Sequence, residues 1–152
     1  MSDPAGTVLV PGEGTGPVLA LAEPLSFWGG FDPATGQVID RLHADLGRCC
    51  TGSILMMRAS RGSSSGSSVL AEAIRAGTGP AAILLVERDP ILVVGAMVAG
   101  ELYGRSCPIV LLAEARWRSL SLEPALRVDA RTRRPRIEPL PWPAIAIEGR
   151  RP

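Results

Sequence analysis

Short apolar runs alternate with glycine- and serine-rich turns over the first 112 residues, and their spacing predicts alternating strands and helices. Thr7–Val10 and Pro17–Leu21 read as two strands. The turn-forming Gly12-Glu13-Gly14-Thr15-Gly16 between them predicts a hairpin. Leu25-Ser26-Phe27-Trp28-Gly29-Gly30, followed by Phe31-Asp32-Pro33-Ala34-Thr35-Gly36, reads as an ordered loop, and Gln37–Asp40 as a brief strand. Ser53–Arg58 is a buried strand that runs into the Ser/Gly-rich stretch Ser60–Ser68. Val69, Leu70, Ala73 and Ile74 then recur at helical spacing, with Gly77 placed as the C-cap. Ala81–Val86 is a second apolar strand. Asp89 is the N-cap, with Pro90 in the first turn, of a helix running through Ile91–Ala99 to about Gly100. Cys107–Leu112 is a third strand. Helices between the three strands imply parallel pairing, so the fold class is layered α/β with a mixed sheet.

Composition divides the chain at residue 113. Residues 1–112 carry seven arginines against ten acidic residues, and residues 113–152 carry nine against five. There is no lysine. The reading is one α/β domain over 1–113 and an Arg/Pro-rich extension over 114–152 that wraps a neighbour or is partly disordered. The extension either grips an acidic partner or is simply solvated. A net charge of +1 over 152 residues does not suggest a nucleic-acid binder. No apolar stretch reaches membrane-spanning length, and the N-terminus lacks the pattern of a signal peptide. Cys49, Cys50 and Cys107 are odd in number and have neither zinc nor iron–sulfur spacing, so no metal site is assigned. Reduced thiols in the cytoplasm are expected.

Candidate chemistry lies in Ser60-Arg61-Gly62-Ser63-Ser64-Ser65-Gly66-Ser67-Ser68, which leaves a buried strand and opens a helix. Backbone N–H groups at a helix N-terminus lack internal partners, and the macrodipole is positive there. Glycines admit close approach, hydroxyls donate and accept, and Arg61 offers a fork that fits a carboxylate or phosphate. The stretch is an anion-binding corner; a flexible linker is the bland alternative. It is neither a P-loop, which needs a lysine, nor a nucleophile elbow. A serine alkoxide at such a corner is stabilised by positive partial charge and can act as a general base. The single histidine, His43, has a structural and a catalytic reading.

Several motifs, taken in order, resemble one family. These are Leu25-Ser26-Phe27-Trp28-Gly29-Gly30 with Asp32-Pro33 and Thr35-Gly36, His43, Arg61-Gly62-Ser63-Ser64-Ser65-Gly66-Ser67, and Glu87 with Pro90–Ala96. Together they resemble the small domain of aconitase X, from about residue 7 to 112. His43 is followed by Ala44 where the family usually has proline, and Ser60 stands where many members have glycine. The resemblance implies a swivelling β/β/α domain, like the aconitase small domain. It implies a small subunit that completes the active site of a large iron–sulfur subunit as a hetero-oligomer, with no cofactor bound by this chain. Its activities are dehydrations, of cis-3-hydroxy-L-proline in bacteria and of a mevalonate 5-phosphate in archaea. The arginine-only composition favours the first.

By the same resemblance Ser63 is the proton acceptor, while the cluster on the partner binds the leaving hydroxyl. Arg61, Gly62, Ser64 and Ser65 then hold the substrate carboxylate or the alkoxide. Ser26, Trp28, Gly29, Gly30 and His43 are candidates for the cleft or the subunit interface, with core packing open for Trp28. A rival of another class is a non-catalytic module that binds an anion at the Ser/Gly corner. A phosphohistidine carrier needs a histidine in the mobile loop, and Ser60–Ser68 has none.

Overall fold

The computed structural model describes residues 5–141. Seven strands form one mixed sheet: β1 (Thr7–Val10), β2 (Glu13–Ala20), β3 (Ile54–Met56), β4 (Ala82–Leu85), β5 (Ile109–Leu111), β6 (Ala125–Asp129) and β7 (Arg136–Leu140). Their order is β1-β5-β4-β3-β2-β6-β7. The central four, β5-β4-β3-β2, are parallel, and β1, β6 and β7 join antiparallel. Helix α1 (Phe27–Gly30) is a single distorted turn. Helix α2 (Gly66–Ala76) connects β3 to β4, α3 (Pro90–Tyr103) connects β4 to β5, and α4 (Glu114–Leu120) follows β5.

β3, β4 and β5 are apolar throughout because both faces of the sheet are covered there. Side chains alternate across the pleat. Leu55, Ile83, Leu85 and Ile109 face α2 and α3, where they pack with Leu70, Ile74, Leu92 and Ala96. Ile54, Met56, Leu84 and Val110 face the other way, into a second core with Leu120, Leu126, Val128 and Ile137. The helix caps are as expected: Gly77 closes α2 in the left-handed region, and an Asp89 side-chain oxygen accepts from the Leu92 N–H at the start of α3. Helix α3 runs on past Gly100 to Tyr103, with Gly104 as its C-cap.

Several expectations differ from the structure. Gln37–Asp40 is not a strand: Gln37 and Val38 form only isolated bridges, to Cys49 and Phe31. The predicted β1–β2 hairpin does not form. β1 pairs with β5, and Gly12 exchanges hydrogen bonds with Ala130. Gly14 and Gly16, read as turn residues, lie inside β2. Added β-carbons there would overlap the carbonyl oxygens of Ala81 and Gly52, so glycine is needed because the backbone just before β4 and β3 approaches β2 closely and not because the chain turns. The division at residue 113 also fails as a packing boundary. β2 is long enough to pair with β3 through Val18–Ala20 and with β6 through Glu13–Pro17. β6 and β7 therefore extend the same sheet, and they place Leu126, Val128 and Ile137 in the second core. Up to residue 141 the supposed extension is part of the domain; its remainder, 142–152, lies outside the described residues.

Candidate active site at the serine loop

The serine loop rises from the C-terminal end of β3, the edge of an open α/β sheet where ligands bind. Its entry is firmly held. The Arg58 carbonyl accepts from the N–H groups of Val86 and Glu87, and its guanidinium pairs with Glu114 and, at 3.7 Å, with Glu87. The Ser60 N–H donates to Asp89 Oδ2 at 2.6 Å, and the Ser60 hydroxyl donates to the same oxygen. The Arg61 N–H donates to the Leu25 carbonyl at 3.1 Å.

Gly62 then adopts φ +92°, and a β-carbon there would overlap Ser26 Oγ. Backbone conformation and close approach both demand glycine here. The reversal brings Ser63 to the surface. Its Oγ accepts from the Ser65 N–H at 3.1 Å, and its carbonyl accepts from the Gly66 N–H at 3.0 Å. Ser67 and Ser68 donate their hydroxyls back to the carbonyls of Ser64 and Ser65, at 3.0 and 2.8 Å. The first turn of α2 is thus tightened by its own serines. Ser63, Ser64 and Ser65 are exposed. The N–H groups of Ser63 and Ser64 and the hydroxyls of Ser64 and Ser65 make no hydrogen bond to the described residues. Several donors therefore point to solvent at the positive end of an 11-residue helix.

The Leu25–Gly30 segment lies against this loop. Ser26 Oγ donates to the Trp28 carbonyl at 2.9 Å. Gly29 turns in the left-handed region at φ +83°, and buried Gly30 sits beside Asp40. Trp28 is 58% exposed, which removes the core-packing reading and leaves an indole on the surface beside the loop. Arg61 reaches Asp40 Oδ2 at 3.3 Å, so Asp40 anchors the guanidinium. The structure therefore brings Arg61, Gly62, Ser63, Ser64 and Ser65 together with Ser26, Trp28 and Gly30. Asp40 and Asp89 belong to the same assembly. They escape a reading by sequence because each acts on the loop from 21 or 29 positions away.

His43 is placed differently. It is buried, with Nδ1 accepting from the Asp45 N–H at 3.0 Å and Nε2 donating to the Glu23 carbonyl at 3.2 Å. Both ring nitrogens are occupied in tying residues 43–45 to residue 23. The ring fastens one loop to another and leaves no nitrogen for a substrate.

Among the described residues, no three His, Cys, Asp or Glu side chains are placed to hold a metal ion. The residues present do not fit an iron–sulfur cluster. Cys49 is exposed, while burial pushes the Cys50 and Cys107 thiols up to about 12. At pH 8 a thiol reagent is expected to label Cys49 alone in the folded chain and all three cysteines after denaturation, as read by peptide mass mapping. Among the described residues, no helix is long and apolar enough to cross a membrane.

The sequence profile described as the aconitase X swivel domain matches residues 4–137. The chain belongs to the aconitase X swivel-domain family. A cis-3-hydroxy-L-proline dehydratase of Pseudomonas aeruginosa is 48% identical over 142 residues, which is 93% of this chain and 24% of that protein. A phosphomevalonate dehydratase small subunit of Methanothermobacter thermautotrophicus is 45% identical over 93 residues, 61% of this chain and 71% of that subunit. The chain thus spans about a quarter of the length of the first relative and most of the second. Aconitase X of Thermococcus kodakaraensis, solved in its holo form, superposes with a TM-score of 0.73 at 28% identity, over 90% of this chain and 96% of that one. The family match runs through α4, β6 and into β7, beyond the residues that carried the resemblance in the sequence.

Proposed function

We propose that this chain is the small subunit of an aconitase X-type dehydratase, a hydro-lyase whose active site is completed by a large subunit. The observation that carries the reading is the placement of Ser63. Its hydroxyl is exposed, bonded by an N–H at the start of α2, and flanked by Arg61 and by N–H groups that make no hydrogen bond to the described residues. Negative charge at Oγ is stabilised by the helix terminus and the Ser65 N–H. Ser63 acts as the proton acceptor, and Arg61 with the Ser63 and Ser64 N–H groups binds the substrate carboxylate. Gly62 permits the reversal that exposes the hydroxyl, and Ser64 and Ser65 add hydroxyl donors.

The Ser63 alkoxide takes the proton from the carbon bearing the carboxylate, and the C–H electron pair becomes the C=C bond. The neighbouring carbon loses hydroxide, which leaves as water after taking the serine proton. Departure of the hydroxyl falls to the partner's side of the site, where the family resemblance puts an iron–sulfur cluster, and no donor set for one is found among the described residues of this chain.

The substrate we assign is cis-3-hydroxy-L-proline. The relative of that name is similar over 93% of this chain, against 61% for the phosphomevalonate dehydratase subunit. Elimination from it gives a cyclic enamine that tautomerises to an imine. The test is co-expression with the large subunit without oxygen, followed by NMR detection of the imine, with each subunit alone as control. Imine from the complex alone supports the reading. A complex inactive on cis-3-hydroxy-L-proline that dehydrates mevalonate 5-phosphate moves the substrate. Tight phosphate or carboxylate binding by the isolated chain, with no complex formed, returns the reading to an anion-binding module.

A further inference from the structure

We infer that Asp89 is a positioning residue for the serine loop: with Ser60 it forms a buried clamp that fixes where Ser63 presents its hydroxyl. The role in proton transfer rests on the function proposed above, whereas the clamp itself does not. Asp89 stands between β4 and α3 and is 5% exposed. Its Oδ1 accepts from the Leu92 N–H at 3.2 Å, the ordinary work of an N-cap. Its Oδ2 is not needed for that. It accepts from both the N–H and the hydroxyl of Ser60. One carboxyl group thus joins the start of a 14-residue helix, whose Leu92, Ala96 and Ala99 are buried, to the first residue of the loop.

Beyond Ser60 the loop has little else to hold it. Arg61 donates one backbone bond to Leu25, Gly62 rests on Ser26, and residues 61–65 are all exposed. Ser60 is therefore the last residue before Ser63 that is held by a buried side chain; the later ties are the Arg61 N–H to the carbonyl of Leu25 and the Arg61 guanidinium to the partly exposed Asp40. Serine, threonine or asparagine at position 89 would still cap α3, but asparagine would turn an amide N–H₂ toward the Ser60 N–H, donor against donor. Only a carboxyl group serves both sides.

Two variants of the full chain separate the roles. Asp89→Asn keeps the α3 cap and removes the acceptor for the Ser60 N–H. Ser60→Ala removes only the hydroxyl bond and remains informative if Asp89→Asn folds poorly. Exchange of the hydrogen-bonded amides of Ser60, Arg61 and Ser65 is expected to speed up about tenfold in Asp89→Asn and less in Ser60→Ala, with residues 93–99 of α3 unchanged. In the complex with the large subunit, kcat is expected to fall about tenfold with KM within twofold. The deuterium isotope effect at the carbon that loses its proton is expected to rise. A merely structural role would lower the yield of folded enzyme and leave kcat per site and the isotope effect alone. Unchanged exchange in both variants overturns the clamp; faster exchange with normal kcat and isotope effect overturns its role in positioning Ser63. Faster exchange in the variants, with no proton release by the unaltered complex, supports the clamp and sinks the reaction assigned to Ser63.

Discussion

A chain cut after Ala113 is expected not to fold. The cut removes α4, β6 and β7, and with them Leu120, Leu126, Val128 and Ile137 from the second core. Fully burying a side chain of that size stabilises by about 1.5–3 kcal/mol, so the four together represent roughly 6–12 kcal/mol. The whole stability of a domain this size is about 5–15 kcal/mol. The loss is compounded because Ile54, Met56 and Leu84, none of them exposed in the intact chain, would face water. β2 would also lose the partner of its Glu13–Pro17 half. Far-ultraviolet circular dichroism and urea titration read the outcome. A truncated chain with native dichroism and an unchanged midpoint would mean that the second core adds nothing.

That segment also shows where sequence patterning reaches its limit. The parallel core is readable because β3, β4 and β5 are continuous apolar runs and the helices between them carry caps: Gly77 after α2, Asp89 and Pro90 before α3. β6 and β7 carry a weaker signal. Arg127 lies outward between buried Leu126 and Val128, and Arg136 and Glu138 lie outward on either side of Ile137. The alternation is there, but arginine and proline dominate the composition, and Pro139 argues against a strand unless it lies at an edge, as β7 does. Partner choice is the other gap. β1 and β2 look like a hairpin because they are neighbours in sequence, whereas β1 pairs with β5 and β2 with β3 and β6, all farther along the chain.

The candidate site divides the same way. Residues 60–68 are legible as a strand–loop–helix corner, since glycines, serines and one arginine sit between two apolar elements. The residues that tune the corner are not legible. The Asp40–Arg61 contact is a partly exposed pair at 3.3 Å, the kind worth about 0–1 kcal/mol. A substrate carboxylate held bidentately can compete for the same guanidinium. Asp40 therefore parks Arg61 near the loop without committing it.

Replacing Ser63 by alanine in the assembled enzyme is expected to lower kcat at least about a hundredfold, the usual loss when a general base is removed. The change is small for the fold. Ser63 is exposed, and among the described residues its side chain makes one hydrogen bond, from the Ser65 N–H. The thermal midpoint should therefore stay close to that of the unaltered chain, while KM moves little because Arg61 and the loop N–H groups remain. Ser64→Ala and Ser65→Ala, whose hydroxyls make no bond to the described residues, should cost less than about tenfold, as loss of a single substrate hydrogen bond does. A second readout separates proton transfer from hydroxyl departure. In D₂O the unaltered complex should exchange the substrate proton next to the carboxylate, and Ser63→Ala should not. Turnover and exchange near normal in Ser63→Ala would move the base off this chain and leave the serine loop with carboxylate binding alone. Loss of both, with the fold intact, would place the proton on Ser63 Oγ.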